Sequence, residues 1–463
     1  MFQESVTLCP AHSSPEAASE KPLRVGLLGL GTVGAGTYRV LTRNQSLIRA
    51  RTGRSIAITM VAVRDLARAS AVVGREVTVT TDPFALVTHP DIDVVVEVMG
   101  GTTLARELVL KAIAHGKQVV TANKALLAEH GTEIFAAAQA RGVSVAYEGA
   151  VAVSIPIIKA LREGLVANRI EWVAGIINGT SNFILTAMHS QGLGFAAALQ
   201  QAQAQGYAEA DPRLDVDGTD AAHKLSLLAA NAFGIPIPFA QVQTEGIEAL
   251  DAADMAYAAH LGYRIKLLGI ARRSAGGLEL QVHPALLPQD HLLAAVNGSM
   301  NAVMVKGDAS GVTLYYGAGA GSEQTASAVI ADLVDLARGI GLAQALRVPP
   351  LGFQSGALKE LPPAPDAASA WYLRLHSMDV VRCTAAALQA LAQAGVGLRS
   401  QHPFCPSSHH APAALVLLTE PIHTTVLRPL LQRLAQLPGV VGVPQAIRMS
   451  NLDSTPAARW QHS

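Results

Sequence analysis

A glycine turn near the start of the chain limits most strongly what it can fold into. Arg24-Val25-Gly26-Leu27-Leu28 is a short apolar run suited to a buried strand. It leads directly into Gly29-Leu30-Gly31-Thr32-Val33-Gly34, after which the apolar spacing becomes helical. In a strand–turn–helix unit Gly29 permits the tight turn, Gly31 lets a pyrophosphate approach the backbone, and Gly34 lets helix and strand pack closely. The pyrophosphate of a dinucleotide would then lie on the helix N-terminus, where free N–H groups and the helix dipole favour negative charge. Alone the pattern is weak, since any glycine-rich βα turn can show it. Its context strengthens it: apolar runs at 55–63, 94–99, 118–121 and 143–147 alternate with helical spacing at 105–115 and 125–141. That alternation predicts parallel βαβ units.

The second strand ends at Val61-Ala62-Val63 and is followed by Arg64. A cation there attracts a ribose 2′-phosphate, so NADP(H) is the expected cofactor, and the adjacent Asp65 leaves NAD(H) open. A solvated loop arginine is the bland alternative.

At 463 residues the chain is too long for one ordinary core. Half of it is hydrophobic and only 4% aromatic, which suits helices on a buried parallel sheet. Its 35 basic and 35 acidic residues give no electrostatic case for nucleic acid or an anionic membrane. Cys9, Cys383 and Cys405 lie far apart, as a reducing compartment permits. With no membrane-length apolar run and no signal-like start, a cytoplasmic protein is expected.

The fold class expected is α/β, in several parts. Residues 23–150 form a Rossmann-type dinucleotide-binding domain, to which about 317–350 return. Residues 151–316 form a second, α+β substrate and dimerisation domain, with a helix at 157–165, a strand at 170–177, helices at 195–205 and 220–233, and strands at 261–271 and 278–282. Residues 351–369 read as a linker, 1–22 and 453–463 as disordered tails. Residues 370–452 carry strands at 371–375, 414–419 and 440–449 and helices at 385–394 and 425–436, in the order of a ferredoxin-like module. Cys405, His409 and His410 are better read as a polar loop than as metal ligands.

The most informative stretch runs from Ala202 to Lys224. It concentrates Glu209, Asp211, Asp215, Asp217 and Asp220 around Gly206, Pro212 and Gly218, and ends at Lys224. Asp220 and Lys224 share one helix face. A surface ion pair and a metal-binding loop both account for such residues. The loop nevertheless opens onto Leu225-Ser226-Leu227-Leu228, an almost uncharged helix, so acids binding a substrate ammonium beside a proton-moving lysine is the favoured reading.

This stretch resembles the signature of the homoserine dehydrogenases. The similarity extends over Gly29–Gly34, Val119-Val-Thr-Ala-Asn-Lys124, Ile177-Asn-Gly-Thr-Ser-Asn-Phe183, Gly262-Tyr-Arg-Ile-Lys-Leu-Leu-Gly269, Val282-His-Pro284, Val296-Asn-Gly298 and Tyr316-Gly-Ala-Gly-Ala-Gly321, in the family's order over roughly residues 23–350. The resemblance implies NADP(H)-dependent interconversion of aspartate 4-semialdehyde and homoserine, in threonine, methionine and isoleucine biosynthesis. Lys224 is then the proton donor and Lys124 the group that polarises the reacting oxygen, with mutual repulsion helping to lower their pKa values. Glu209, Asp215 and Asp220 bind the substrate. Gly29, Leu30, Gly31, Thr32, Val33, Gly34, Arg64, Lys124, Gly206 and Gly321 contact the cofactor. A sodium site is implied at Glu148, Val151, Val153 and Ile155, largely through backbone carbonyls. The C-terminal module resembles an ACT domain, with threonine as an effector, and a homodimer or homotetramer is implied.

Three departures stand out. Val153-Ser154 replaces a pair of glycines, Gln324 stands where a proline is common, and Asp379-Val380-Val381-Arg382 lacks the glycine of the ACT turn. An enzyme of the same fold acting on another semialdehyde, or a catalytically weak amino-acid sensor, are the competing readings. The retained lysines and acids count against the sensor.

Overall fold

The structure is a computed structural model that describes residues 21–450 and 452, apart from 275, 344–345, 366 and 406–412. Of the tails expected at 1–22 and 453–463, residues 1–20 and 453–463 lie outside the described residues, as do Cys9, His409 and His410.

Strands β1 (Leu23–Leu28), β2 (Ile56–Ala62), β3 (Thr78–Thr80), β4 (Val94–Glu97), β5 (Gln118–Thr121) and β6 (Val145–Ala146) form one sheet in the order β3-β2-β1-β4-β5-β6. All its pairings are parallel. This is the doubly wound order, whose switch point between β1 and β4 opens a crevice at the carboxyl ends of the strands. Strand β3 was not anticipated, because three residues carry too little periodicity. The helix Ser322–Gly339 returns to this sheet and packs on the helix Thr32–Arg43, with Ser322 Oγ donating to Thr32 O at 2.6 Å. Val25, Leu27, Val61, Val96, Val120, Val329 and Leu333 share the core between them. Each fully buried side chain of this size contributes about 1.5–3 kcal/mol.

The second sheet contains β7 (Ile170–Ile176), β8 (Gln243–Thr244), β9 (Tyr263–Ser274), β10 (Gly277–Pro288), β11 (Met300–Gly307), β12 (Gly311–Ala318), β13 (Trp371–Ser377), β14 (Leu398–Phe404), β15 (Ala413–Thr419) and β16 (Val440–Met449). Its order is β12-β11-β7-β9-β10-β16-β13-β15-β14, with β8 beside β10. The expected strand at 278–282 thus extends to Pro288. The expected helix at 157–165 is a short α-turn, Ile157–Lys159, continued by the π-turn Ala160–Gly164. Strands β11, β12 and β14 were not anticipated; β14 alternates half-buried and exposed residues at an edge and carries a polar sequence.

The last four strands, β16-β13-β15-β14, pair antiparallel, and with the helices Val380–Gln393 and Thr424–Ala435 they make a ferredoxin-like βαββαβ unit. It is joined edge to edge to the second domain: β16 pairs with β10 at Ala285↔Arg448 and Leu286↔Met449. Segment 351–369 runs against the same region, with Leu278 N donating to Pro362 O and Ala364 N to Leu278 O, both at 2.9 Å. Among the described residues no helix is long and apolar enough to cross a membrane.

A buried ion pair fastens the module. Asp254, on the helix Ala252–His260, accepts from Arg374 Nε at 2.6 Å, Arg374 Nη2 at 2.9 Å and the Tyr372 hydroxyl at 3.0 Å. Both charged side chains are excluded from water. Removing one partner strands the other charge, so Asp254→Ala is expected to lower unfolding free energy by about 3–5 kcal/mol, whereas Asp254→Leu combined with Arg374→Leu recovers most of that loss. Urea unfolding monitored at Trp371 measures both.

Candidate functional site

The crevice at the head of the first sheet has the shape the glycines predict. Gly29 has φ +96°, and a Cβ on Gly34 would lie 2.2 Å from Gly29 O, so only glycine lets helix and turn meet. A Cβ on Gly31 would meet nothing within 4 Å, and no side chain caps the helix it begins. That leaves the N-terminus open to a phosphate. Thr32 is exposed, while Leu30 and Val33 pack on the core beneath. Gly321 (φ +140°) begins the return helix, and Gly206 (φ +75°) stands exposed at the start of the acidic loop. Arg64 is exposed after β2. Its neighbour Asp65 caps the helix Leu66–Ser70, accepting from Arg68 N at 3.0 Å, so that carboxylate is already engaged.

The helix Lys124–Arg141 starts directly beyond β5. Asn123 caps it by accepting from Leu126 N at 3.1 Å, which places Lys124 in its first turn, at the positive end of the dipole. The unfavourable placement is offset by Asp220. This carboxylate meets Lys124 Nζ at 3.1 Å through Oδ1 and Lys224 Nζ at 2.8 Å through Oδ2. Lys224 also donates to Ile177 O at 2.8 Å. The i,i+4 pair is therefore no surface pair: Asp220 and Lys224 are buried on the helix Thr219–Phe233, whose body is buried almost throughout.

Burial disfavours ionisation of Asp220, but Lys224 and Lys124 outweigh it and hold the carboxyl well below the usual range. Asp220 in turn raises Lys124 against its own burial. The expectation that repulsion between the two lysines lowers their pKa values is corrected for Lys124, because a shared counter-charge lies between them. Burial raises Asp215 despite the hydrogen bond it receives from Asn178.

The other acids of the loop divide their work. Asp211 pairs with Arg213 at the surface, Asp217 accepts from Thr219 N, and Glu209 is exposed. Asn178, not singled out by itself in the sequence, organises the site. Its amide donates to Asp215 Oδ1 at 2.7 Å and to Asp220 Oδ2 at 2.9 Å, while its Oδ1 caps the helix Gly179–Gln191 through Ser181 N at 2.7 Å. Thr180 Oγ1 donates to Tyr207 O at 2.7 Å and Phe183 stacks on Tyr207, tying this helix to the acidic loop. Glu97, at the carboxyl end of β4, was also missed. It accepts from Met99 N, Gly100 N and Thr121 Oγ1 inside the crevice, and burial raises its pKa against those bonds. A lone acid in the run Val94-Val95-Val96-Glu97-Val98 was the available signal.

The loop holding Glu148, Val151, Val153 and Ile155 joins the two domains. The Glu148 carboxylate accepts from Ile158 N and Lys159 N, both at 2.9 Å, and its carbonyl accepts from Val151 N at 3.5 Å. Among the described residues no cluster of three His, Cys, Asp or Glu side chains could hold a metal. Val153 keeps the left-handed backbone, φ +55°, that a glycine would adopt freely. Ser154 Oγ fastens the loop by donating to Ala318 O at 2.9 Å. A β-branched residue in that conformation stores about 1–3 kcal/mol of strain.

The family model for the homoserine dehydrogenase NAD binding domain matches residues 29–148, and the one for homoserine dehydrogenase matches 156–334. The chain is 51% identical over 436 residues to the homoserine dehydrogenase of Pseudomonas aeruginosa, covering 94% of this chain and all of that one. It is similar to the crystal structure of a homoserine dehydrogenase from Thiobacillus denitrificans, with a TM-score of 0.87, 52% identity, and 93% and 98% of the two chains covered. A hyperthermophilic archaeal homoserine dehydrogenase solved in complex with NADPH matches with a TM-score of 0.59 at 25% identity, over 68% of this chain and 97% of that one.

Two outcomes follow from the site. Val153→Gly relieves the strained turn and should raise unfolding free energy by about 1 kcal/mol, after the added chain entropy of glycine is deducted; thermal denaturation reads it. Because the folded-state pKa of Asp220 is depressed, its stabilisation is present above the ordinary value of 3.8 and is lost as pH falls through the folded value. The stability gap between the native chain and Asp220→Asn should therefore be widest near neutrality and shrink below about pH 4, in urea titrations across that range.

Proposed function

The chain belongs to the homoserine dehydrogenase family, NAD(P)-dependent oxidoreductases that interconvert aspartate 4-semialdehyde and homoserine, and from that premise we propose how its own residues carry the reaction. The open helix N-terminus, the space beside Gly31 and the glycine packing fit a dinucleotide, with Leu30–Gly34, Arg64, Lys124, Gly206 and Gly321 as its contacts. Bound there, the nicotinamide supplies hydride to the aldehyde carbon or takes it from the alcohol.

Lys224 Nζ gives its proton to the substrate oxygen in the reductive direction and recovers it in reverse. Lys124 stays charged, held so by Asp220, and polarises the same oxygen. Glu209, Asp215 and Asp220 bind the substrate ammonium, with Asn178 fixing the last two. The observation that carries this reading is one buried carboxylate shared by two lysines at the carboxyl end of β5. Lys224→Ala should lower kcat about 10²–10⁴-fold with little change in KM for cofactor, whereas Lys124→Ala should impair both. Steady-state NADPH oxidation with aspartate semialdehyde tests this, and turnover unaffected by Lys224→Ala would refute the proton-transfer role. A related semialdehyde turned over faster would instead favour the second reading, with Val153-Ser154 as its cause.

NADP(H) is the preferred cofactor, NAD(H) the lesser one. The exposed Arg64 and the engagement of Asp65 as a helix cap support this, as does the archaeal relative solved with NADPH. Arg64→Ala should raise KM for NADPH about ten- to hundredfold and leave that for NADH nearly unchanged, since only the former carries the phosphate that a charge-assisted pair recognises.

We propose a sodium ion on the carbonyls of Glu148, Val151, Val153 and Ile155, an all-oxygen set of the kind a hard cation takes; those of Glu148 and Ile155 also accept from Val151 N and Ile157 N. The C-terminal module is an ACT-like unit, supported by its ferredoxin-like order, and threonine is its proposed effector. Asp379 still caps the first helix of that module through Arg382 N at 3.0 Å, so the turn survives without its glycine. A homodimer or homotetramer is supported by the open edge β12, where Leu314 and Tyr316 are exposed. The free thiols of Cys383 and Cys405 suit a cytoplasmic setting.

A further inference from the structure

A second cavity, of about 300 Å³, lies at the end of the first sheet opposite the glycine turn. Gln118 begins β5 and Ser144 precedes β6, so the cavity opens at the amino ends of these strands, away from the dinucleotide crevice. Arg162 and Glu163, from the start of the second domain, meet there with Arg338 and Arg347 of the return segment.

Its charge is unbalanced. Glu163 is taken up by Arg162 at 3.2 Å, and Asp335 by Lys159 at 2.5 Å. Arg338 reaches Asp335 only at 3.8 Å and directs Nη2 to Arg51 O at 3.1 Å. Arg347 directs Nη1 to Gly142 O and Nη2 to Leu342 O, both at 3.1 Å. Backbone carbonyls orient a guanidinium without neutralising it. The wall beside these cations is apolar and open: Ile340, Leu342, Leu346 and Val348 are 43%, 44%, 71% and 47% exposed. Scattered apolar exposure is ordinary; four such side chains beside Arg347, held by carbonyls alone, and Arg338, only loosely paired with Asp335, form a surface with a definite complement.

We propose that this cavity binds a small carboxylate with a branched aliphatic body, the carboxylate on Arg347 and Arg338 and the alkyl part on Ile340, Leu342 and Val348. The volume lies at the lower end for ligand sites and suits a molecule of amino-acid size, not a nucleotide. The planar guanidinium fork matches a carboxylate, and the apolar wall favours an alkyl body that inorganic phosphate lacks. The site owes nothing to the cofactor crevice or the lysine pair.

Isothermal titration of the full-length protein with 3-methylbutanoate is the test, with 3-methylbutan-1-ol and inorganic phosphate as the uncharged and body-less controls. Saturable binding of one carboxylate per chain is expected, at least about tenfold tighter than either control. Arg347→Gln and Arg338→Gln should each weaken it by about tenfold or more while circular dichroism and basal turnover stay unchanged. No saturable binding to about 10 mM, or equal binding by both variants and the native chain, overturns the proposal. So does self-association that Leu346→Ser abolishes in a protein that takes up no carboxylate, since the wall is then a contact between copies of the chain.

Discussion

The site depends on one electrostatic arrangement, a buried carboxylate between two ammonium groups. An isolated Asp220 at that depth would protonate, because burial without compensation disfavours charge. Two lysines reverse that outcome, and the amide of Asn178 takes up part of the remaining acceptor capacity. The three charged groups come from different places: Lys124 from the first turn after β5, Asp220 and Lys224 from one face of a buried helix. Holding them together fixes the second domain against the first. The proposed chemistry and the domain arrangement therefore rest on the same few contacts.

The remainder of the fold supports those contacts. The glycine turn sets the helix Thr32–Arg43 against β1, and the return helix closes over it through Ser322. Asn178 caps the helix Gly179–Gln191 and reaches the acids with the same side chain, so a local stop signal and a site contact are one residue. Farther out, the C-terminal module extends the second sheet and is locked by Asp254 and Arg374. The module thus continues the sheet on which the helix carrying Asp220 and Lys224 packs.

Much of this was legible in the sequence, for stated physical reasons. Glycines that must be glycines announce the crevice, and an acidic loop running into an uncharged helix announces the site. The cofactor turn and the family could be read at that level. What could not be read depended on partners distant in the chain. The spacing of Asp220 and Lys224 fits a solvated ion pair equally well; only packing buries it and brings Lys124 to the other oxygen. Asn178 looks like an ordinary helix cap, and Glu97 like an irregularity in a strand. β14 and β3 escaped notice because polar edge strands and three-residue strands carry little pattern. At Val153 the letters announced a departure from the family's glycines, and only the backbone shows the valine in a left-handed turn under strain.

On the proposed mechanism, the shared carboxylate keeps both lysines in working order. Single-turnover hydride transfer by Asp220→Asn, at saturating NADPH and aspartate semialdehyde, tests it most directly. A rate at least about a hundredfold below that of the native chain is expected, with cofactor still bound. A folded Asp220→Asn protein transferring hydride at the native rate would contradict it.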